Sequence, residues 1–322
     1  MRVAFDAICL ADGPITGVAR AFLTGLCDYG ARWPDDVIVL APPGGDRGAL
    51  PAVRIVDAPR GALRRQLQLP RLLRELAVDV VHSSVAAVPL RAPCPTIATV
   101  HDLPWLHPES GERSTWWRRF ATRRALRAAT AVIAPSRFTL DAAVRILGER
   151  HRDKLHLVPH ATPEPTAPAG APAARTGPFL VLGDDRPRKN RQRVRAAHAL
   201  AAARNPGLPP LRFVGPPDDY VSEREKAELL SICRAVVACS LYEGFGLPVL
   251  EALAHGAPLI CSDIPPHREI AGVDAALVDP RAVESIAAAL AAPPPPHAPR
   301  AIEPVAPRWR DVHTSVSITA RW

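Results

Sequence analysis

Glu243 and Glu251 are separated by seven residues that contain the run Gly244-Phe245-Gly246-Leu247-Pro248. Two glycines around one aromatic make a loop able to expose consecutive backbone N–H groups, and Pro248 pre-sets the first turn of a helix running to about His255. A helix N-terminus behind such a turn can hold an anion. The apolar run at 234–239 predicts a buried parallel strand before the loop, and 257–262 the strand after the helix. A strand, glycine turn, helix, strand unit puts both carboxylates at the C-terminal edge of a sheet, where open α/β folds bind ligands. Each acid alone has a bland reading: Glu251 complements the helix dipole, and Glu243 is a solvated loop residue. Leu250, Leu253 and Ala254 form an apolar stripe for the sheet, which leaves Glu251 and His255 on a different face.

Other stretches bring chemistry to the same kind of edge. Arg188 and Lys189 lead through Asn190 into a helix expected to reach about Arg204, and two adjacent cations there could bind a diphosphate by charge-assisted hydrogen bonds. The 40 basic residues include only three lysines, Lys154, Lys189 and Lys226. In so Arg-rich a chain Arg188 reads mainly as an exposed surface group, and Lys189 is the better candidate. His101-Asp102-Leu103-Pro104 follows the fifth expected strand, though a lone His at a strand end is usually a satisfied structural group. Between a first strand at 2–8 and a helix from Val18 to about Tyr29, Gly13 and Gly17 let the loop approach a ligand, and Thr16 or Gly17 can cap the helix.

Taken as one string, residues 238–263, A-C-S-L-Y-E-G-F-G-L-P-V-L-E-A-L-A-H-G-A-P-L-I-C-S-D, closely resemble the signature of the family 4 (group 1) retaining glycosyltransferases. The resemblance implies an α/β chain of GT-B architecture, with two Rossmann-like doubly wound parallel-sheet domains facing a cleft. It implies that Glu243 and the amides of Gly244, Phe245, Gly246 and Leu247 face the donor sugar and phosphates, and that Glu251 holds the nucleotide ribose. Lys189, with Arg188, would meet the donor diphosphate. His101 would point toward the donor sugar, and the loop ending at Gly17 toward donor phosphates and acceptor. The resemblance further implies that no metal is required and that the only small molecule beyond the acceptor is a nucleotide-diphosphate sugar, the donor substrate. The sequence accordingly shows no Asp-x-Asp and no His/Cys cluster with metal-ligand spacing.

The likeness covers nearly all of residues 1–290 and departs from the family at two places. Asp184 stands where many relatives carry Arg, and after residues 211–215 a helix and a strand of the family are missing, so the C-terminal domain is expected to be shortened. The implied activity moves a mannosyl-, glucosyl- or rhamnosyl-like sugar to a glycan or lipid-linked acceptor. The departures leave open a catalytically degenerate partner or regulatory protein that retains nucleotide binding.

The elements that must position these residues follow from pattern and length. Strand-like runs at 37–40, 53–56, 78–82 and 96–100, with a helical stretch at 62–76, alternate as in a parallel doubly wound sheet. A chain of 322 residues can bury two ordinary domains. The expected division is an acceptor-side Rossmann-like domain at 1–161, a Pro/Ala-rich linker at 162–178, a nucleotide-sugar domain at 179–292 and a Pro-rich tail at 293–322. Within the tail, 309–322 could be a remnant of the family's last helix. The net charge of +8 suits phosphorylated or anionic-membrane partners, and no nucleic-acid motif accompanies it. Six cysteines without paired spacing read as reduced, buried thiols of a cytoplasmic protein. The N-terminus reads as a strand rather than a signal peptide, and no apolar run approaches the roughly 20 residues of a spanning helix. Any membrane contact, such as one at the inner membrane face, would be peripheral. Residues 113–127 form a basic helix with Trp116, Trp117 and Phe120, expected to pack its aromatics inward under a solvated Arg face. The alternative is a helix lying on an anionic leaflet.

Overall fold

The computed structural model describes residues 1–10, 16–44, 47–48, 50–162, 175–217 and 219–319. Residues 12–15 of the first glycine loop, 163–174 of the expected linker and 320–322 of the tail lie outside them. The chain divides into two compact units: Met1–Leu103, Ser114–Ala161 and Glu303–Trp322 form the first, Pro104–Arg113 and Thr162–Ile302 the second.

The first unit is a seven-stranded parallel sheet. Along the chain run β1 (Val3–Asp6), α1 (Gly17–Arg32), β2 (Val37–Ala41), β3 (Arg54–Asp57), α2 (Ala62–Glu75), β4 (Val80–Ser83), β5 (Thr96–Thr99), α3 (Trp116–Ala128), β6 (Ala131–Ala134), α4 (Arg137–Leu147) and β7 (Leu155–Leu157). The strand order is β3-β2-β1-β4-β5-β6-β7. The chain therefore moves one way across the sheet through α1 and the other way through α2, α3 and α4, and right-handed crossovers put these two sets on opposite faces. The cores agree. Ala4, Ile38, Leu40 and Val81 pack on Leu69 and Leu73 of α2, while Phe5, pointing the other way, meets Phe22 and Tyr29 of α1.

The tail completes that second core. After residues 293–302, which stay with the second unit, a helix α10 forms at Ala306–Thr319. Its Trp309 lies 5.7 Å, ring to ring, from Phe5 and 5.6 Å from Phe22. His313 reaches His82 (3.1 Å) and the Tyr29 hydroxyl (3.1 Å), and Arg310 donates to Tyr29 and to Asp36.

Two expectations about this unit are corrected. Trp116, Trp117 and Phe120 do not pack inward: they are 75, 58 and 48 % exposed. Only Ala125 and Leu126 of α3 are buried. Its first turns thus have no core to meet, and the aromatics lie against one another at 5.6 and 5.7 Å. Of the cysteines, Cys27 is exposed and Cys9 and Cys94 half-buried, so only Cys233, Cys239 and Cys261 are buried thiols.

The second unit carries a five-stranded parallel sheet in the order β12-β11-β10-β8-β9. It runs β8 (Phe179–Leu182), α5 (Arg191–Arg204), β9 (Leu211–Val214), α6 (Glu223–Ile232), β10 (Ala235–Ala238), α7 (Leu247–Ala254), β11 (Leu259–Ser262), α8 (Pro265–Ala271), β12 (Ala275–Val278) and α9 (Val283–Ala291). Strands β8, β10 and β11 alternate their side chains between two apolar cores, one on each face. Buried strands of this kind read as unbroken apolar runs. From edge strand β9 the described chain passes through a single bridge, Gly215 to Asp219, straight into α6. Helix α7 is not two-faced as expected. Every residue from Val249 to Ala254, Glu251 included, is buried, because the helix packs against β10, β11 and α8 together.

Candidate active site

In the second unit the C-terminal ends of β8 and β10 stand side by side and are tied together by Asn190. Its backbone takes the left-handed conformation (φ +59°), and its side-chain amide donates to the carbonyls of Cys239 (3.0 Å) and Pro280 (2.7 Å). The Leu241 N–H donates to the Arg188 carbonyl at 2.7 Å. The turn at Pro187–Lys189 and the loop after β10 are thereby one rigid piece, and the three side chains singled out from the sequence converge on it.

Glu243 lies at the centre. Lys189 Nζ donates to its Oε1 at 2.6 Å, Ser240 Oγ donates to the same oxygen at 2.7 Å, and Arg188 stands 4.0 Å from Oε2. Burial alone would raise this carboxyl, but Lys189, Arg188 and His267 outweigh it and hold Glu243 at about 2. It is a desolvated anion throughout the neutral range, not a solvated loop residue. Arg188 is buried as well, at 5 % exposure, which corrects the expectation of a surface arginine. Its guanidinium lies 5.9 Å from the Tyr242 ring centre and its Nε 3.0 Å from Glu112.

Two glycines make room for this arrangement. Gly183 follows β8 at φ +116°, a backbone conformation that side chains rarely adopt, with Lys189 Cε packed 3.4 Å from where a Cβ would stand. Gly246 sits at φ +113°, where a Cβ would come within 2.8 Å of the His267 ring. His267 is pushed down to about 4 by burial against the pull of Glu243, and it packs neutral under the loop with Nδ1 donating to the Ser262 carbonyl. Gly244 and Gly246 flank Phe245, and all three are buried, with Leu247 half-buried behind them at the start of α7.

Glu251 has its own lysine. Lys226 Nζ, from α6, donates to Glu251 Oε1 at 2.6 Å and pairs with Glu223 at 2.7 Å. Lys226 was not singled out from the sequence, although the scarcity of lysine pointed to it. All three lysines have built roles, Lys154 holding the carbonyls of Leu126, Arg127 and Ala129.

Gly17 and His101 belong to the first unit. Gly17 opens α1 behind Thr16, whose hydroxyl caps the Ala19 N–H at 3.3 Å. His101 is half-buried, and its desolvation lowers its pKa. The Ser84 carbonyl can only accept, so His101 Nε2 carries the proton and donates to it at 2.8 Å, leaving Nδ1 to accept from His160 Nε2 at 3.2 Å. The two rings stack at 5.1 Å. His160 is the second residue the sequence did not mark.

Comparison with known proteins agrees with the geometry. A family model described as "Glycosyltransferase Family 4" matches residues 17–163, and one described as "Glycosyl transferases group 1" matches 219–292. The O-antigen chain mannosyltransferase B of Escherichia coli is 37 % identical over 78 residues, 24 % of this chain and 19 % of that protein. The MMP alpha-(1->4)-mannosyltransferase of Mycolicibacterium hassiacum is 40 % identical over 73 residues, 22 % and 18 % of the two chains. The chain thus matches less than a fifth of the length of either. Among solved structures, sucrose-phosphate synthase from Thermosynechococcus elongatus superposes with a TM-score of 0.70 at 16 % identity, over 98 % of this chain and 94 % of that one. WaaG, a glycosyltransferase involved in lipopolysaccharide biosynthesis, gives 0.67 at 14 % identity, over 98 % and 95 %. The fold is GT-B, with two Rossmann-like parallel-sheet domains, the second of five strands. With the two family segments in order along it and the paired glutamates in place, the chain belongs to the family 4, group 1 glycosyltransferases.

Proposed function

We propose that the chain is a retaining hexosyltransferase that moves a mannosyl-, glucosyl- or rhamnosyl-like sugar from a nucleotide-diphosphate donor to a glycan or lipid-linked acceptor. The observation that carries this reading is the buried Glu243 anion held against Lys189 and Arg188 beside the glycine loop. A fixed anion can stabilise the positive character that develops on the sugar, while adjacent cations balance the departing diphosphate. In this reading Glu243 orders the sugar hydroxyls, Glu251 the ribose, and the Gly244–Leu247 amides the phosphates. His101 and Gly17, in the first unit, are proposed to contact the donor sugar and the acceptor. The names of the curated relatives favour mannose. Cations and loop amides do the work of a metal, so transfer is expected to survive chelation.

Thermal-shift binding of a panel of nucleotide sugars, followed by transfer assays with and without EDTA, tests the proposal. The expected result is stabilisation by one donor class and turnover that EDTA leaves intact. Transfer lost in EDTA and restored by a divalent ion sinks the metal-free scheme. Donor binding with neither transfer nor donor hydrolysis favours the degenerate partner instead.

The exposed aromatics of α3 favour a place of action for this transferase. Trp116, Trp117 and Phe120 stand among exposed Arg118, Arg119, Arg123, Arg124 and Arg127, and on the same sheet face α2 exposes Leu63 and Leu67 beside Arg64. Aromatic and basic residues together suit an anionic lipid surface. No helix among the described residues is long and apolar enough to cross a membrane, so the contact would be peripheral. Sedimentation with phosphatidylglycerol vesicles is expected at low salt, falling as salt rises and in a Trp116→Ala/Trp117→Ala variant. Equal solubility with and without vesicles at low salt removes the membrane reading.

A further inference from the structure

We propose that Glu112 sets the donor affinity of the second unit by occupying, before a donor binds, the position beside Arg188 and Arg186 that a diphosphate oxygen takes on binding. The inference rests on the reading of Arg188 and Lys189 as the diphosphate cations.

Glu112 comes from the part of the chain between β5 and α3, yet residues 104–113 pack in the second unit. The segment is anchored there. Ser110 Oγ donates to the Pro104 carbonyl at 2.8 Å and accepts from the Glu112 N–H at 3.1 Å, and the His107 ring lies 5.1 Å from Tyr242, the neighbour of Glu243. Glu112 Oε1 is thereby placed 3.0 Å from Arg188 Nε and 3.6 Å from Arg186 Nη1. One oxyanion between two guanidinium groups is the arrangement in which arginines receive phosphate.

The quality of the contact separates it from its neighbours. Lys189 and Glu243 are joined by a 2.6 Å hydrogen bond that Ser240 reinforces, and Arg186 donates twice to Asp184 Oδ2. Glu112 Oε1, by contrast, is buried and within ion-pair distance but accepts no hydrogen bond. A buried acceptor without a hydrogen bond is unfavourable, so an incoming phosphate that can accept from the same guanidinium groups displaces the carboxylate at a gain. The Glu243 pair is built to persist and the Glu112 pair to exchange. The exchange also eases product release, because Glu112 returns to the cations as the nucleoside diphosphate leaves.

The test is calorimetric binding of inorganic pyrophosphate, and of a panel of nucleoside diphosphates, to the full chain and to Glu112→Gln, Glu112→Asp, Arg188→Gln and Glu112→Gln/Arg188→Gln variants, each checked for folding by its melting temperature. Removing the competing charge in Glu112→Gln should tighten pyrophosphate about tenfold, the equivalent of one charge-assisted contact. Glu112→Asp, one methylene shorter, should fall between. The gain should vanish when Arg188 is already Gln, which a merely structural role for Glu112 would not produce. In turnover assays Glu112→Gln should lower the donor KM and strengthen product inhibition without raising kcat. Unchanged or weaker binding by a folded Glu112→Gln, or an equal gain in the Arg188→Gln background, overturns the inference while leaving the diphosphate reading in place. If the parent chain binds neither pyrophosphate nor any nucleoside diphosphate, both fall together.

Discussion

Glu243→Gln is expected to reduce turnover by about 10²–10³-fold while changing the apparent donor constant far less, the scale of one preorganised electrostatic contact, about 3–4 kcal/mol. The substitution keeps the side chain's size and removes only its charge. That charge is desolvated, fixed by Lys189 and Ser240, and ionised throughout the neutral range. An interaction made mainly in the transition state lowers kcat and kcat/KM together. Steady-state kinetics with the donor identified by thermal shift provides the check, and parental turnover in the Gln variant would remove Glu243 from the chemistry. The same substitution carries a stability signature. The folded carboxyl is held at about 2, below its ordinary value of 4.5, so its ionisation stabilises the fold fully above the ordinary value, and that stability is lost as pH falls toward 2. By linkage the contribution is about 3 kcal/mol. Between pH 4.5 and 2 the parent should therefore lose more stability than the Gln variant.

The second large effect lies far along the chain, in the tail. Trp309→Ala is expected to destabilise the first unit by about 3–5 kcal/mol, as deletion of a buried Trp generally does. The indole is 4 % exposed and touches Phe5, Phe22 and, edge to face at 4.8 Å, His82. It fits over Gly25 of α1, where even a Cβ would come within 2.4 Å of the ring. Loss of the ring should loosen α10 first and with it the buried His82–His313–Tyr29 contacts. Because the chain has two units, hydrogen exchange of peptides from β1, α1 and α10 is the appropriate measurement, alongside a urea midpoint. Unchanged protection in those peptides would mean that α10 is not part of this core.

The sheet strands and the site string could be read from the sequence because their information is local. Residues 37–41 and 235–238 are buried on both faces and so appear as short unbroken apolar runs. The Glu243 to Glu251 stretch announces itself because a strand-to-helix turn with φ of +113° at Gly246 tolerates little besides glycine. The short passage from β9 to α6 was visible for the same reason, as few residues stand between Val214 and Glu223.

What the tertiary structure alone decided is which distant groups meet. Composition shows many arginines, but only packing buries Arg188, pairs Lys189 with Glu243 across 54 residues and Lys226 with Glu251 across 25, and stacks His101 on His160 across 59. The tail was read as a helix remnant but could not be placed, because α10 has little apolar periodicity of its own. Its seat is assembled from Phe5, Phe22 and Tyr29, some 300 residues earlier, so its stability is a property of the core and not of the helix. The α3 aromatics were misread in the opposite sense: helical spacing says which side chains share a face, but whether that face meets a core or solvent depends on elements elsewhere in the chain.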